Sequence, residues 1–81
     1  MVNFWVNPVG IANAEGTEVN ADDNATVSDV INQLVDAKKV PKGRYMLQYA
    51  GRSLNASQKI KNTGIKEGEE AKLMVDTRWG A

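Results

Sequence analysis

The spacing of apolar residues changes twice along this chain. Residues 2–6 alternate between apolar and other side chains, apart from the tryptophan at position 5, and this period of two predicts a half-buried strand. From Val27 onward, valine, isoleucine and leucine recur at intervals of three and four residues, which predicts one amphipathic helix. After Pro41, alternating runs at residues 45–49 and 71–75 predict further strands.

The predicted helix carries its own start and stop signals. Thr26 and Asp29 have the spacing of a capping box, in which each side chain accepts from the other residue's backbone N–H. We expect the helix to end near Ala37. Val40 stands before Pro41 and should be extended, because the proline ring disfavours helical angles in the preceding residue.

The remaining segments complete a small α+β fold. Residues 17–20 are predicted to return from a loop at residues 9–16 as the second strand. A very short fourth strand is expected around Ser53, and one helical turn at residues 59–63. Two strands, a helix and further strands predict a mixed sheet of four or five strands packed on one helix. The first and last strands would be parallel neighbours at its centre, which is the β-grasp architecture.

The predicted core combines the inward residues of each element with two isoleucines that stand alone in polar loops. Its members are Val2, Phe4, Val6, Val19, Val27, Val30, Ile31, Leu34, Val40, Leu47, Tyr49, Leu54, Ile60, Ile65, Leu73 and Val75.

Composition narrows the candidate chemistry. The 81 residues form one domain without cysteine or histidine, so disulfides, thiolate metal sites and the commonest general base are excluded. We therefore expect no cofactor, no metal site and no enzyme activity. Lysines and arginines number 10, as do aspartates and glutamates, so no strong field favours nucleic acid or an anionic membrane. Without a signal peptide or an apolar run of spanning length, we expect a cytoplasmic monomer.

An ordered series of residues resembles the ubiquitin-like protein family. The resemblance runs from Thr26 to Gly80 without an obvious gap, and the N-terminal hairpin also fits, with a slightly longer loop. The matching positions are Thr26, Val27, Val30, Leu34, Asp36, Val40, Pro41, Leu47, Ala50, Gly51, Arg52, Leu54, Ile65 and Leu73.

The resemblance implies a protein that is attached to others through its C-terminal tail. In ubiquitin-like modifiers the terminal glycine carboxylate is adenylated by an activating enzyme and passed as a thioester to a target amine. Here Arg78 and Gly80 match the family's arginine and last glycine, Trp79 replaces the first glycine, and Ala81 is extra. This implies a domain at residues 1–76, a flexible tail at residues 77–81, and activating and conjugating enzymes as partners. Either a processing protease removes Ala81 by cleaving after Gly80, or Ala81 is itself the working terminus.

The resemblance also implies a second functional surface on the open face of the sheet, which binds receptors of ubiquitin-like proteins. The positions that match this surface are occupied by Val9, Gln48, Gly51, Lys72 and Met74. Gln48 stands where ubiquitin has its central isoleucine, so the surface should be more polar. Trp5 reaches the same face by strand alternation, where it either binds a partner or packs on a loop or the tail.

Three functions remain open from the sequence. The leading interpretation is a ubiquitin-like modifier acting through Gly80. The alternative is a non-covalent ubiquitin-like interaction module that uses Trp5, Met74 and the sheet face. A sulfur carrier shares the fold but fits less well, because the chain lacks an exposed pair of terminal glycines.

Overall fold

The computed structural model describes residues 1–77, which form one sheet and one α-helix in the predicted order. A 3₁₀ turn at Ile60–Asn62 precedes the last strand. The elements are β1 at Val2–Pro8, β2 at Thr17–Ala21, α1 at Val27–Asp36, β3 at Tyr45–Tyr49, β4 at Arg52–Ser53 and β5 at Glu70–Val75.

The strands lie in the order β2-β1-β5-β3-β4. β1 pairs antiparallel with β2 and parallel with β5, while β5 pairs antiparallel with β3. The first and last strands are therefore parallel neighbours at the centre, and the β-grasp prediction is confirmed.

The helix begins where the capping box placed it. The Asp29 N–H donates to the Thr26 hydroxyl at 3.2 Å, and the Thr26 N–H donates to the Asp29 carboxylate at 3.0 Å. The helix ends at Asp36, and the N–H of the capping residue Ala37 donates to the Gln33 carbonyl at 3.0 Å. Its buried face consists of Val27, Val30, Ile31 and Leu34.

The core lies between this helix face and the inner face of the sheet. Most predicted core residues are buried, but Val75 is wrong, since it is 50% exposed. Val75 is the last residue of β5 and lies at the margin of the sheet, where an inward-facing side chain can remain exposed to solvent. Val2 and Tyr49 are only half-buried, whereas Ala21 and Ala71 are buried and were not predicted.

The loop between β4 and β5 is held by its two isoleucines, as the sequence predicts. Ile60 and Ile65 are both buried. Between them the buried Thr63 hydroxyl donates to the Ile60 carbonyl at 2.7 Å and accepts from the Ile65 N–H at 3.2 Å. None of the helices within residues 1–77 has the length and apolarity needed to cross a membrane.

The end of this loop is joined to β3 by a side-chain hydrogen bond. The Tyr49 hydroxyl donates to the Glu69 carboxylate, which also accepts from the Lys66 N–H at 2.9 Å. The hydrogen bond from Tyr49, supported by the one from Lys66, lowers the pKa of the Glu69 carboxyl below its usual value. The same contact with Glu69 raises the pKa of the Tyr49 hydroxyl.

Candidate functional site

The helix covers one face of the sheet, and the opposite face, here called the outer face, is open. Strand alternation determines which side chains it carries, because buried Phe4, Val19, Leu47 and Leu73 point the other way. The outer-face residues are Glu18 and Asn20 on β2, Asn3, Trp5 and Asn7 on β1, Glu70, Lys72 and Met74 on β5, Met46 and Gln48 on β3, and Ser53 on β4.

The most exposed aromatic side chain of the outer face lies between two carboxylates. Trp5 is 43% exposed. It pairs with Glu18 across the β1–β2 ladder and with Glu70 across the β1–β5 ladder. Directly opposed residues in a sheet have Cβ atoms about 5 Å apart, so these three side chains are immediate neighbours. We call them the Trp5 row.

The position of the Trp5 ring is fixed by the hairpin loop beside it. A Cβ atom added at Gly16 would lie only 2.7 Å from the Trp5 Cζ2 atom, so the ring rests directly on the Gly16 backbone. Trp5 therefore does pack on a loop, as one sequence interpretation expected. The packing is partial, because more than two fifths of the side chain stays exposed and available to a partner.

A polar row crosses the middle of the outer face. Asn7, Lys72, Gln48 and Ser53 are successive partners across β1, β5, β3 and β4. The Asn7 amide donates to the Glu70 carboxylate at a long 3.4 Å.

A shallow pocket adjoins this polar row at the turn between β3 and β4. Its lining consists of Gln48, Ala50, Gly51, Glu70 and Lys72. Ala50 and Gly51 both have positive φ, of 54° and 79°, as a two-residue hairpin turn with the twist of its strands requires.

An apolar pair lies on the far side of the polar row. Met46 and Met74 are direct partners across the β3–β5 ladder, and both are half-buried. Val9, just past β1, is 42% exposed, and its N–H donates to the Leu73 carbonyl at 2.9 Å. Met46 is not among the surface residues predicted from the sequence, although its position beside the buried Leu47 is enough to place it on the outer face.

The structure brings only some of the predicted binding residues together. Gln48, Lys72 and Gly51 meet at the shallow pocket, with Met74 following Lys72 on the same strand. Trp5 is separated from Met74 by the polar row. The part of these residues in binding stays a prediction, and the predicted tail residues Arg78, Trp79, Gly80 and Ala81 lie outside the described residues.

The chemistry available on the outer face is recognition. Exposed carboxylates, an amine, amides and an indole can form hydrogen bonds, ion pairs and stacking contacts with another protein. Among residues 1–77, no three aspartates or glutamates come together in a way that could hold a metal ion.

Comparison with known families identifies the domain. The family model described as Ubiquitin-2 like Rad60 SUMO-like matches residues 9–75, which is most of the chain. The chain belongs to this family. The ubiquitin-like resemblance of the sequence is thereby confirmed, and the outer face is the open sheet face of a Rad60 SUMO-like domain. None of the curated proteins matches the sequence.

Solved structures agree with this membership. The ubiquitin of Caldiarchaeum subterraneum has a TM-score of 0.75 and 25% identity, over 98% of this chain and 98% of that one. A chain described under molecular mimicry of SUMO that promotes DNA repair has a TM-score of 0.76 and 15% identity, over 89% of this chain and 88% of that one. AtBAG1, solved in complex with HSP70, has a TM-score of 0.75 and 14% identity, but this chain spans only 42% of its length. The last two likenesses show the fold alone.

Proposed function

We propose that this Rad60 SUMO-like domain is a protein modifier that is activated at Gly80 and joined to amines of target proteins. The family membership supports a ubiquitin-like domain, and similarity to an archaeal ubiquitin over 98% of both chains supports a modifier. The observation that carries the proposal is the end of the last strand, which lies five residues before Gly80 in the sequence. β5 ends at Val75, and five residues of chain can span at most about 17 Å beyond it.

The exit of the chain from the sheet is well defined. The Asp76 N–H donates to the Arg44 carbonyl at 3.0 Å, one residue beyond the β3–β5 ladder. A channel in an activating enzyme would receive the segment that follows, where glycine gives the reacting carbonyl the least obstruction. Trp79 requires this channel to be wide next to the reacting carbonyl.

After a protease hydrolyses the peptide bond between Gly80 and Ala81, the reaction needs three steps. The freed Gly80 carboxylate attacks the α-phosphate of ATP, which gives an acyl adenylate and pyrophosphate. An enzyme thiolate then displaces AMP and forms a thioester. A target amine then attacks the thioester, releases the thiolate and loses a proton, which leaves Gly80 joined to the target through an amide bond.

The test uses a chain that ends at Gly80 together with an activating enzyme from the same genome and ATP. We expect an adenylate and then a thioester by intact mass spectrometry. The chain that retains Ala81 should give neither until a protease from the same genome removes it. The proposal would be contradicted if the shortened chain gave neither product with an enzyme that is shown to be active on another modifier.

A second candidate function is non-covalent binding through the outer face, and the exposure of Trp5 favours it. Trp5→Ala should then abolish capture of a partner, while truncation after Thr77 should leave it intact, since every described strand ends before that residue. The opposite pattern favours the modifier. Under either function we expect a monomeric, non-catalytic cytoplasmic protein whose partners are proteins and not nucleic acid or membranes.

A further inference from the structure

The Trp5 row combines two chemistries that recognise the same kind of group. The indole ring presents a negative π-face that attracts cations, and this attraction favours arginine among side chains. Glu18 and Glu70 are the ladder partners of Trp5 on its two neighbouring strands, so each adds an exposed carboxylate beside this residue. A positively charged side chain placed over Trp5 would be attracted both by the indole π-face and by the two neighbouring carboxylates.

Both flanking carboxylates remain available within the domain. Glu18 and Glu70 are exposed, and within residues 1–77 no ion pair joins either of them to a cation. Glu70 accepts only the long hydrogen bond from Asn7. The nearest cation on the outer face is Lys72, two residues from Glu70 along β5, and it does not form an ion pair with that carboxylate.

The row is also held in position before any partner arrives. All three residues lie within paired strands, and the Trp5 ring rests on the Gly16 backbone. A contact surface that is already ordered loses less conformational freedom on binding than one that must be ordered by its ligand.

From this placement we propose that the Trp5 row docks an arginine or lysine side chain of a basic protein segment, with the cation over the indole and between the two glutamates. Charge complementarity selects this occupant over an acidic or purely apolar segment. The surface lies within residues 1–77, so the inference does not depend on modification through Gly80. Either proposal can therefore be wrong without affecting the other.

The probe is an acetylated and amidated tetra-arginine peptide, titrated into the full chain at low ionic strength and followed by ¹⁵N NMR. A Trp79→Phe spectrum assigns the two indole signals. We expect the Trp5 Nε1–H and the backbone amides of Glu18 and Glu70 to shift together. The matching tetra-citrulline peptide, which keeps the shape without the charge, should leave them in place.

Variants of the row and a matched control pair distinguish binding at the row from general electrostatic attraction. Trp5→Leu keeps an apolar side chain without a π-face and should weaken binding about threefold. The Glu18→Gln and Glu70→Gln pair should weaken it about fivefold to tenfold. The matched control pair, Asp22→Asn and Asp36→Asn, removes the same two charges from other parts of the surface and should weaken it less than twofold.

Three results would overturn the proposal. Equal losses in the two paired variants would show that only net charge matters. Shifts that centre away from Trp5 would place the peptide elsewhere. A shift of the Trp5 indole in peptide-free Arg78→Gln would show that the tail of this chain, or of a second copy, occupies the row.

Discussion

The two faces of the sheet differ in how strongly the fold constrains them. On the inner face Phe4, Val6, Leu47 and Leu73 are at most 1% exposed, and each is enclosed by the helix or its neighbours. On the outer face Trp5, Glu18 and Glu70 remain open to solvent. The inner face therefore explains why the chain folds like its relatives, and the outer face presents the side chains that another protein could contact.

The resemblance to ubiquitin-like proteins also differs between the core and the outer face. The positions that match the ubiquitin-like series are mainly core and turn positions, such as Val30, Leu34 and Gly51. On the outer face, by contrast, Gln48 lies in the polar row and Trp5 pairs with two glutamates. The fold and the identity of a binding partner depend on different residues, so similarity of fold does not by itself imply shared receptors.

Substitutions at neighbouring residues on β3 test the difference between the two faces most directly. Leu47→Ala should lower the free energy of unfolding by about 2–5 kcal/mol, because Leu47 is 0% exposed and its truncation leaves a cavity. Met46→Ala, on the outer face, should cost about 1 kcal/mol or less. Urea denaturation measures both, and equal losses would show that the two faces do not differ in this way.

A smaller effect is expected at the start of the helix that covers the inner face. Thr26→Ala removes the hydroxyl that accepts from the Asp29 N–H and should cost about 1 kcal/mol. Thr26→Ser keeps that hydroxyl and should stay within a few tenths of a kcal/mol of the original protein. Thermal denaturation of the three proteins side by side tests the assignment, and a serine variant as weak as the alanine variant would refute it.

The smallest effect should appear as a pH dependence at Glu69. Its pKa is below the ordinary 4.5 in the folded protein, so the folded state favours the ionised carboxylate. The resulting stabilisation is fully present above about pH 4.5 and is lost as the pH falls through the lower folded pKa.

The measurement compares Glu69→Gln with the original protein by urea denaturation at about pH 7 and about pH 3. The variant lacks this stabilisation at both pH values, so the difference in the free energy of unfolding between the two proteins should be smaller at acidic pH. Tyr49→Phe removes the main cause of the lowered pKa and should behave similarly. A gap that widens on acidification would show that the carboxylate is not favoured by folding.

Much of the fold could be predicted because its signals are local. The helix start depends on Thr26 and Asp29, three residues apart, and the strands depend on alternation. Whether other elements bury a side chain depends on the tertiary structure, and this is why the prediction that Val75 is buried is wrong. Alternation gives the face on which a side chain lies, but the length of the covering helix and the margin of the sheet decide whether anything lies above it.

The candidate site was less predictable for the same reason. Trp5 could be assigned to the outer face from its neighbours alone. Its position between Glu18 and Glu70 depends on the register of two ladders that join residues distant in sequence. The contact with Gly16 depends on how an irregular loop folds back, for which the sequence offers only the presence of glycine.

The parallel pairing of β1 with β5 gives this domain a mechanical property. Tension applied between Met1 and Asp76 would pull the two central strands in opposite directions along their length. The pairs from Trp5 with Glu70 to Pro8 with Leu73 would then bear the force together instead of opening one at a time. A domain tethered at both ends should therefore resist stretching far better than one whose terminal strands peel apart.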